Sequence, residues 1–329
     1  MTRRILVTEP LMGPRRPRSA LLRERLEREF EGWSVDGVEQ LTADYRWEEV
    51  EALACYAFPP VAVERLSGLR LLQSVSTGVE HLPLEGLRAH GTRICNAAGT
   101  SAAEIAEFVL GRILEDAKRF DEIRAAQHEH RWEHLYGESL RGAELVLVGF
   151  GALNQRVAEL AAVLGMVVRV VRRAPGGDLP PGVVEQCGVD QLPRLAAAVR
   201  YLVSAVPQTP ETTALIDAAV IDALPAGALL INVGRGNAVD GPALRRACAA
   251  GRIRAALDVF ETEPLPPESP WWTAPGVRVS AHCSSVPDAA LVQVEELLVQ
   301  NLHRVLAGQA PLHQVAGPDS SSAAATSAP

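Results

Sequence analysis

The chain has 329 residues, of which 47% are hydrophobic and 22% are charged, and its formal net charge is -8. At roughly 100 to 200 residues per domain, this length predicts two domains with ample core. The moderate negative charge provides no broad basic surface, so we expect no nucleic-acid partner.

The cysteines and the N-terminus indicate the compartment. The five cysteines are widely spaced and include no C-x-x-C pair, which argues against a disulfide framework or a zinc ribbon and is typical of reduced thiols. The N-terminus lacks an apolar stretch of signal-peptide length, and no run approaches the roughly 20 apolar residues of a membrane span. We therefore expect a soluble, cytoplasmic protein without a membrane partner.

Short β-branched runs alternate with longer helical patterns along the chain, which predicts an α/β fold with parallel sheets. Near the N-terminus, Ser19 is predicted to cap a helix that runs through Phe30. A long helix beginning at Ser101 is expected to lead out of the first domain. The predicted strands of this part are RILV (4–7), LLQSV (71–75) and RICN (93–96).

From residue 144 the predicted strands become almost wholly apolar, which suits a sheet covered by helices on both faces. A last helix, 288–307, follows this sheet and is expected to pack on the first domain. The tail GPDSSSAAATSAP has too little to bury and is predicted to be disordered. The apolar strands are ELVLV (144–148), VVRVV (167–171), YLVSAV (201–206), ALLINV (228–233), IRAALDV (253–259) and VRVSA (277–281).

The stretch LVLVGFGALNQRVAEL (145–160) begins like a dinucleotide-binding turn. In G-x-G-x-x-G, the first glycine makes the strand-to-helix turn, the second admits the pyrophosphate, and the third allows close helix packing. Gly149 and Gly151 fill the first two roles, and Asn154 stands at the third, where we expect it to affect only packing. Because phosphate binding at a helix N-terminus does not need the third glycine, nucleotide binding is predicted, with a bare structural turn as the alternative.

The residues at the end of the next strand indicate whether the cofactor is NAD or NADP. Roughly 20 residues after the glycines, an acidic residue would select NAD, whereas an arginine favours the 2′-phosphate of NADP. Arg172 and Arg173 stand there, and a guanidinium fork can bind a phosphate bidentately. The sequence therefore favours NADP(H) over NAD(H). The alternative is a solvated arginine pair, since Lys118 is the only lysine among 32 basic residues.

Three late strands end in polar residues that a reductase would use. ALLINV leads to Arg235, IRAALDV leads to Asp258 and Glu263, and VRVSA leads to His282. Ligands of doubly wound sheets bind outside the carboxyl ends of the strands. We therefore expect these distant residues to meet at one crevice.

Five ordered motifs carry a family resemblance: LVGFGALN, VPQTPETTALI, LLINVGRGNAVD, AALDVFETEPLP and SAHCSS. With STGVEHLPL and NAAGTSAAEIAE upstream, the chain resembles the D-isomer-specific 2-hydroxyacid dehydrogenases over roughly residues 5–315. The resemblance implies a homodimeric NAD(P)-dependent enzyme that interconverts 2-oxo and D-2-hydroxy acids. It also implies two Rossmann-like, doubly wound parallel-sheet domains with an active-site cleft between them.

The resemblance implies that one domain binds the substrate and the other binds the cofactor. Residues 1–98 and 285–315 would form a discontinuous substrate-binding domain, and residues 99–284 would form the dinucleotide-binding domain. Residues 316–329 are left as the disordered tail.

The resemblance implies that Arg235 grips the substrate carboxylate and carbonyl, that His282 donates or accepts the proton, and that Glu263 pairs with His282. The chemistry agrees, because hydride addition to a 2-oxo acid builds negative charge on the carbonyl oxygen. That charge calls for a proton donor that titrates near neutrality and a fixed cation beside it. A neighbouring carboxylate favours the imidazolium form and keeps the acid loaded.

Further roles follow from the same resemblance. The backbone N–H groups of Gly78 and Val79 would bind the substrate carboxylate, and Asp258 would hold the nicotinamide amide. All of these positions also suit ordinary turn residues. The other implied cofactor contacts are Thr100, Ala152, Leu153, Asn154, Val206, Pro207, Thr212, Val233 and Ser285.

The residues after the histidine depart from the family pattern. Cys283, Ser284 and Ser285 stand where the family often has another residue followed by two glycines. Serines here would alter cofactor placement or add a hydrogen bond to the substrate. The identity of the substrate side chain is therefore not predicted.

The segment HEHRWEH groups His128, His130 and His134 and invites a zinc interpretation. It lacks the H-E-x-x-H spacing, so we expect a polar loop near the dimer contact and no metal site. Two other functions stay open at this point. One is a cofactor-sensing corepressor on the same fold, and the other is a methyltransferase, which the absence of an acidic residue near position 172 argues against.

Overall fold

The computed structural model describes residues 3–11 and 18–318. The chain divides into two units, the first comprising Met1–Thr100 with Pro287–Pro329 and the second Ser101–Val286. The motifs predict these boundaries after residues 98 and 284.

The first unit is built on a six-stranded sheet in the order β13-β5-β4-β3-β1-β2. Strands β1 to β5 pair in parallel, and β13 adds an antiparallel edge strand beside β5. The chain starts at β1, adds the edge strand β2 on one side, and then adds β3, β4 and β5 in turn on the other side, as doubly wound folds do. The strands are β1 (Arg3–Val7), β2 (Trp33–Asp36), β3 (Val50–Cys55), β4 (Leu71–Ser74), β5 (Arg93–Cys95) and β13 (Gln314–Ala316).

Both faces of this sheet are covered. Ile5 and Val7 belong to a core cluster with side chains of α1 (Ser19–Glu29) and α9 (Pro287–Leu306). Leu6 belongs to a second cluster that includes Leu87 of α2 (Leu84–Ala89). Since successive side chains of a strand point to opposite faces, β1 contributes to both clusters.

Two predictions for this unit need correction. Ser19 does not cap α1; it is the first helical residue, and Arg18 holds the N-cap position without a side-chain cap hydrogen bond. The predicted tail begins too early, because Ala316 is buried in β13. The remainder of the predicted tail, from residue 319 onwards, lies outside the described residues.

Strand β3 has no counterpart among the predicted strands. Its sequence VEALAC contains two alanines and one glutamate, which favour helices over strands. Ala52 and Ala54 are buried between β1 and β4, so tertiary pairing overrides the local preference.

The second unit contains a seven-stranded, all-parallel sheet in the order β12-β11-β10-β9-β6-β7-β8. The chain starts at β6, adds β7 and β8 on one side, and returns to add β9 to β12 on the other. The strands are β6 (Glu144–Val148), β7 (Val167–Val171), β8 (Val183–Cys187), β9 (Tyr201–Ser204), β10 (Leu229–Asn232), β11 (Arg254–Leu257) and β12 (Val277–Val279).

Helices cover both faces of the second sheet. Leu145 and Leu147 join one buried cluster, and Val146 and Val148 join the other. The turn after β6 adjoins β9, at the switch point where open α/β sheets bind ligands. The helices of this unit are α3 (Ala102–Ala117), α4 (Phe120–His128), α5 (Ala152–Val163), α6 (Leu192–Ala196), α7 (Ala218–Ala223) and α8 (Gly241–Ala249).

Candidate active site

The glycine turn lies between β6 and α5. Gly149 has a φ of 84°, and a Cβ atom on it would lie 2.9 Å from Val206 Cγ1, so only glycine suits this position. Above Gly151, the N-cap of α5, a Cβ atom would meet no described atom within 4 Å. The N-terminus of α5 carries no acidic residue in its first turn and no side-chain cap. Open space and free helix N–H groups fit a pyrophosphate at Gly151, Ala152 and Leu153.

Asn154 does more than fill space, contrary to the sequence-based expectation. It is fully buried, and its Nδ2 donates hydrogen bonds to Val148 O at 3.1 Å and to Gly149 O at 2.8 Å. These bonds tie the first turn of α5 to the end of β6. The side chain therefore fixes the glycine turn in a way that a third glycine would not.

Arg172 and Arg173 follow β7, as the sequence predicts. The backbone N–H of Arg172 donates to Cys187 O at 3.0 Å. No hydrogen bond or ion pair joins the Arg172 guanidinium to another residue in the described ranges, whereas Arg173 lies near Glu211. Arg172 is thus available to an anionic ligand at this edge.

The other residues on the cofactor side differ in availability. Val206 and Val233 are buried beside the glycine turn and the Arg235 loop, respectively. The Thr212 hydroxyl donates to Pro207 O at 2.6 Å and accepts from Thr209 N at 2.9 Å. It therefore stabilises the turn to which it belongs. Thr212 therefore has a structural role whether or not it contacts a ligand.

The loop after β10 presents Arg235. Asn232 is buried, accepts from Gly234 N at 3.1 Å and donates to Arg235 O at 2.9 Å. A Cβ atom on Gly236 would overlap the backbone of Phe260. This close approach brings the Arg235 loop against the segment that leads to Glu263.

Glu263 and His282 form the central pair of the site. His282 Nδ1 and Glu263 Oε2 lie 2.7 Å apart, and Glu263 Oε1 accepts from Phe260 N at 2.8 Å. The His282 side chain is 56% exposed, so it can reach a ligand. Because Glu263 is anchored at both oxygens, it fixes the orientation of the imidazole and leaves Nε2 for other partners.

Asp258 follows β11 and is only 1% exposed. Its carboxylate accepts hydrogen bonds from the segment that carries His282, including Ser280 Oγ at 2.7 Å. Ser285 is half-buried in the same segment. Asn232, Gly236 and Ser280 are not among the predicted site residues, although the glycine in GRG hinted at a close backbone approach.

Three predicted residues belong to the first unit. Gly78 and Val79 follow β4, and neither N–H group donates to an acceptor within the described part of the chain. Thr100 is buried, and its hydroxyl donates to Ala97 O at 2.9 Å. Beside the Gly78 turn, the Tyr56 ring stacks on His81 with centroids 5.2 Å apart, a pair that the sequence did not single out.

The histidine-rich segment lies at the end of α4 and in the loop beyond it. His128 ends the helix, His130 has a φ of 53°, and His134 stacks on Tyr136 at 5.9 Å. Across residues 3–11 and 18–318, no group of three histidine, cysteine or acidic residues is placed to hold a metal ion. Over the same residues, no helix has the length and apolar character needed to cross a membrane.

Comparisons with known proteins agree with this arrangement. The family model described as D-isomer specific 2-hydroxyacid dehydrogenase, NAD binding domain, matches residues 110–284. A protein of known structure from Thermus thermophilus is 30% identical, with a TM-score of 0.71, over 95% of this chain and 99% of that chain.

Two further structures hold cofactors. A D-isomer specific 2-hydroxyacid dehydrogenase from Xanthobacter autotrophicus, in complex with NADPH and MES, is 29% identical with a TM-score of 0.78, over 94% of this chain and 97% of that chain. An NADPH-dependent glyoxylate/hydroxypyruvate reductase from Sinorhizobium meliloti, in complex with NADP and malonate, is 28% identical with a TM-score of 0.73, over 96% and 97%.

The family match confirms the resemblance carried by the five motifs, and the corepressor alternative finds no support among these proteins. The methyltransferase alternative is likewise unsupported. The chain belongs to the D-isomer specific 2-hydroxyacid dehydrogenase family and is an NAD(P)-dependent oxidoreductase.

Proposed function

We propose that this enzyme reduces a small 2-oxo acid with NADPH, with His282 as the proton donor. The observation that carries the proposal is the 2.7 Å hydrogen bond between His282 Nδ1 and Glu263 at the open edge of the second sheet. With Nδ1 held by the carboxylate, Nε2 is the nitrogen that delivers a proton to the developing alkoxide. The same residues run the oxidative direction with His282 as base.

Arg235 supplies the fixed positive charge. Its loop is held by Asn232 and packed against Phe260, so the guanidinium is carried on a defined backbone. A fixed cation stabilises the negative charge that builds on the carbonyl oxygen and orients the substrate carboxylate. For the N–H groups of Gly78 and Val79, which have no acceptor in the described part of the chain, a role in carboxylate binding is proposed from the resemblance. A bound nicotinamide would supply the hydride, and the residues of this chain position the acceptor and move the proton.

We propose NADPH over NADH because of Arg172. Arg172 directly follows β7, and residues 172–177 include no acidic residue, whereas an acidic residue at the strand end would repel a 2′-phosphate. The Xanthobacter and Sinorhizobium proteins were solved with NADPH and NADP, which is consistent with this preference. A hydrogen bond to a charged group contributes about 1.5 to 3 kcal/mol, or roughly tenfold to a hundredfold in affinity.

The test is oxidation of NADPH and NADH across a panel of 2-oxo acids, for the wild type, Arg172→Ala and Arg156→Ala. Arg156 is a matched control because it is exposed on α5 and paired with Glu159 at 2.7 Å. We expect the ratio of kcat/KM for NADPH over NADH to fall at least tenfold in Arg172→Ala and to stay unchanged in the control. An unchanged ratio in both variants would refute the NADPH assignment, and no turnover of any 2-oxo acid would refute the substrate class.

A homodimer is proposed from the loop after α4. Trp132 is 93% exposed and Tyr136 is 80% exposed, and large apolar surfaces of this kind mark contacts with other chains. A second copy of this chain would cover them. Sedimentation velocity should show a dimer for the wild type and a weakened dimer for Trp132→Ala, whereas a monomeric wild type would refute the proposal.

A further inference from the structure

The backbone of His282 lies in an unusual conformation. Its φ is 49°, in the left-handed region that a side chain with a Cβ atom rarely adopts. Such residues persist where the surrounding structure holds them, and they concentrate at functional sites. Something in the neighbouring structure must therefore hold His282.

Asp258 makes hydrogen bonds on both sides of His282. Its Oδ1 accepts from Ser280 Oγ at 2.7 Å and from Cys283 N at 3.0 Å, and its Oδ2 accepts from Ser284 N at 3.1 Å. Its backbone carbonyl accepts from His282 N itself at 2.9 Å. One residue thus binds the segment before, at and after the histidine.

The charged form of Asp258 is the form that this arrangement favours. Burial raises the pKa of the carboxyl, but hydrogen bonds from the Ser284 and Ser280 side chains and from the Cys283 and Ser284 N–H groups outweigh it. The net result is a pKa below the ordinary value, so the carboxylate is ionised at neutral pH. A carboxylate held this way is a strong and permanent acceptor.

Ser284 departs from the glycine that the family often has at this position, and the structure gives it a partner. It is only 6% exposed, and its backbone N–H donates to Asp258 Oδ2 at 3.1 Å. Its side chain is also among the groups that lower the pKa of the Asp258 carboxyl. Ser284 therefore supports Asp258 through both its backbone and its side chain.

We propose that Asp258, Ser280 and Ser284, here called the Asp258 bracket, act as positioning residues that hold His282 in its left-handed conformation for proton transfer. This inference rests on the proposed role of His282 as the proton donor. It differs from the family-based role of Asp258 as a ligand of the nicotinamide amide. The two roles predict different kinetic defects.

If the bracket acts through His282, its loss misplaces the imidazole and lowers kcat without weakening cofactor binding. A misplacement of about 1 Å can reduce a rate a hundredfold. We expect Asp258→Asn to lower kcat about 10- to 100-fold, because its amide would point a donor at an N–H group that needs an acceptor. The Kd for NADPH, measured by fluorescence titration without substrate, should stay within about twofold.

A double-mutant cycle separates positioning from a direct contact. In a His282→Asn background, Asp258→Asn should cause no further loss of kcat, because the group it positions is gone. A further loss equal to that in the wild type, or a weakened Kd for NADPH with unchanged kcat, would overturn the proposal. Wild-type kcat in His282→Asn alone would instead overturn the proposed function, so the two failures are distinguishable.

The serines provide a second test that does not depend on the folding of Asp258→Asn. Ser280→Ala with Ser284→Ala should lower kcat about 3- to 30-fold at an unchanged Kd for NADPH, since the Ser280 hydroxyl bond to Asp258 contributes about 1 kcal/mol and the Ser284 side chain also favours the charged carboxylate. Ser139→Ala is the matched control, because this serine is exposed, lies outside the bracket and accepts a bond from Arg141 N at 3.2 Å. If the double variant equals the control in kcat, the bracket does not position His282.

Discussion

Ionisable residues cluster at both ends of the second sheet, but they are buried at the amino end and partly exposed at the carboxyl end. At the amino end, Asp116 of α3 is fully buried and faces Arg254 at 2.7 Å, Arg200 at 3.7 Å and Arg278 at 3.8 Å. At the carboxyl end, His282 pairs with Glu263 at a similar distance but is half exposed. The Asp116 carboxylate at the amino end is buried, whereas the His282–Glu263 pair at the carboxyl end is accessible to a ligand.

The second sheet therefore separates the residues that stabilise it from those proposed to act on a substrate. The amino-end arginines lie before β9, at the start of β11 and within β12, so the cluster ties three strands to α3. The carboxyl-end groups lie in loops, where a scaffold presents reactive residues without needing them for its own packing. Substitutions at the two ends should therefore have opposite consequences.

The largest expected effect is on the rate of His282→Asn. Asparagine tolerates the left-handed backbone better than alanine does but cannot act as a general acid. We expect kcat to fall 10²- to 10⁴-fold, about 3 to 5.5 kcal/mol of barrier, with the melting temperature unchanged. Steady-state kinetics and thermal unfolding check both expectations. A large loss of stability with little loss of rate would reverse the comparison of the two ends.

The converse is expected for Asp116→Ala. Removing the buried partner leaves three guanidinium groups without their shared carboxylate, which we expect to lower the free energy of unfolding by about 3 kcal/mol. For a unit of this size the melting temperature should fall by roughly 6 to 12 °C, with kcat unchanged. Asp222→Ala is the control, since Asp222 is exposed and pairs with Arg252 at 3.4 Å. Equal stability of the two variants would contradict a structural role for the amino-end cluster.

Glu263→Gln tests how the open end works. The amide keeps the shape of the side chain but offers only one oxygen, whereas Glu263 accepts from Phe260 N with one oxygen and contacts His282 Nδ1 with the other. The imidazole should therefore lose its fixed orientation, and we expect about a tenfold loss of kcat, the effect of roughly one hydrogen bond to a charged group at a partly exposed site. Steady-state kinetics in the reductive direction measure the loss. An unchanged kcat would show that Glu263 does not orient His282.

The residues at the carboxyl end of the second sheet could be identified from the sequence, because parallel strands place their carboxyl ends at one edge. Arg235, Glu263 and His282 follow three different strands, and their strand-end positions needed only the order of apolar runs and turns. The fold class and family are confirmed, while the catalytic roles of these residues stay predictions. The Asp258 bracket was not predictable, because it depends on the backbone conformation of a loop rather than on a motif.

The amino-end cluster was also not predictable from the sequence. In a chain whose basic residues are almost all arginines, Arg200, Arg254 and Arg278 carry no local mark that distinguishes them from surface arginines. Only the crossover of α3 brings Asp116 to them. The alanine-rich strand β3 was missed for a related reason, since its pairing partners lie far away in the sequence.

The weakest effect is expected for Asn154, which is a buried structural residue at the carboxyl end of the sheet. Asn154→Gly restores the full G-x-G-x-x-G pattern but removes the bonds to Val148 O and Gly149 O and places glycine in α5. We expect a loss of about 1 to 2 kcal/mol in the free energy of unfolding and less than a twofold change in the KM for NADPH. Denaturant titration and cofactor kinetics measure the two quantities. A stabilised variant with tighter NADPH binding would mean that Asn154 compromises the turn, whereas the expected result means that this buried amide at the carboxyl end stabilises the glycine turn without taking part in cofactor binding.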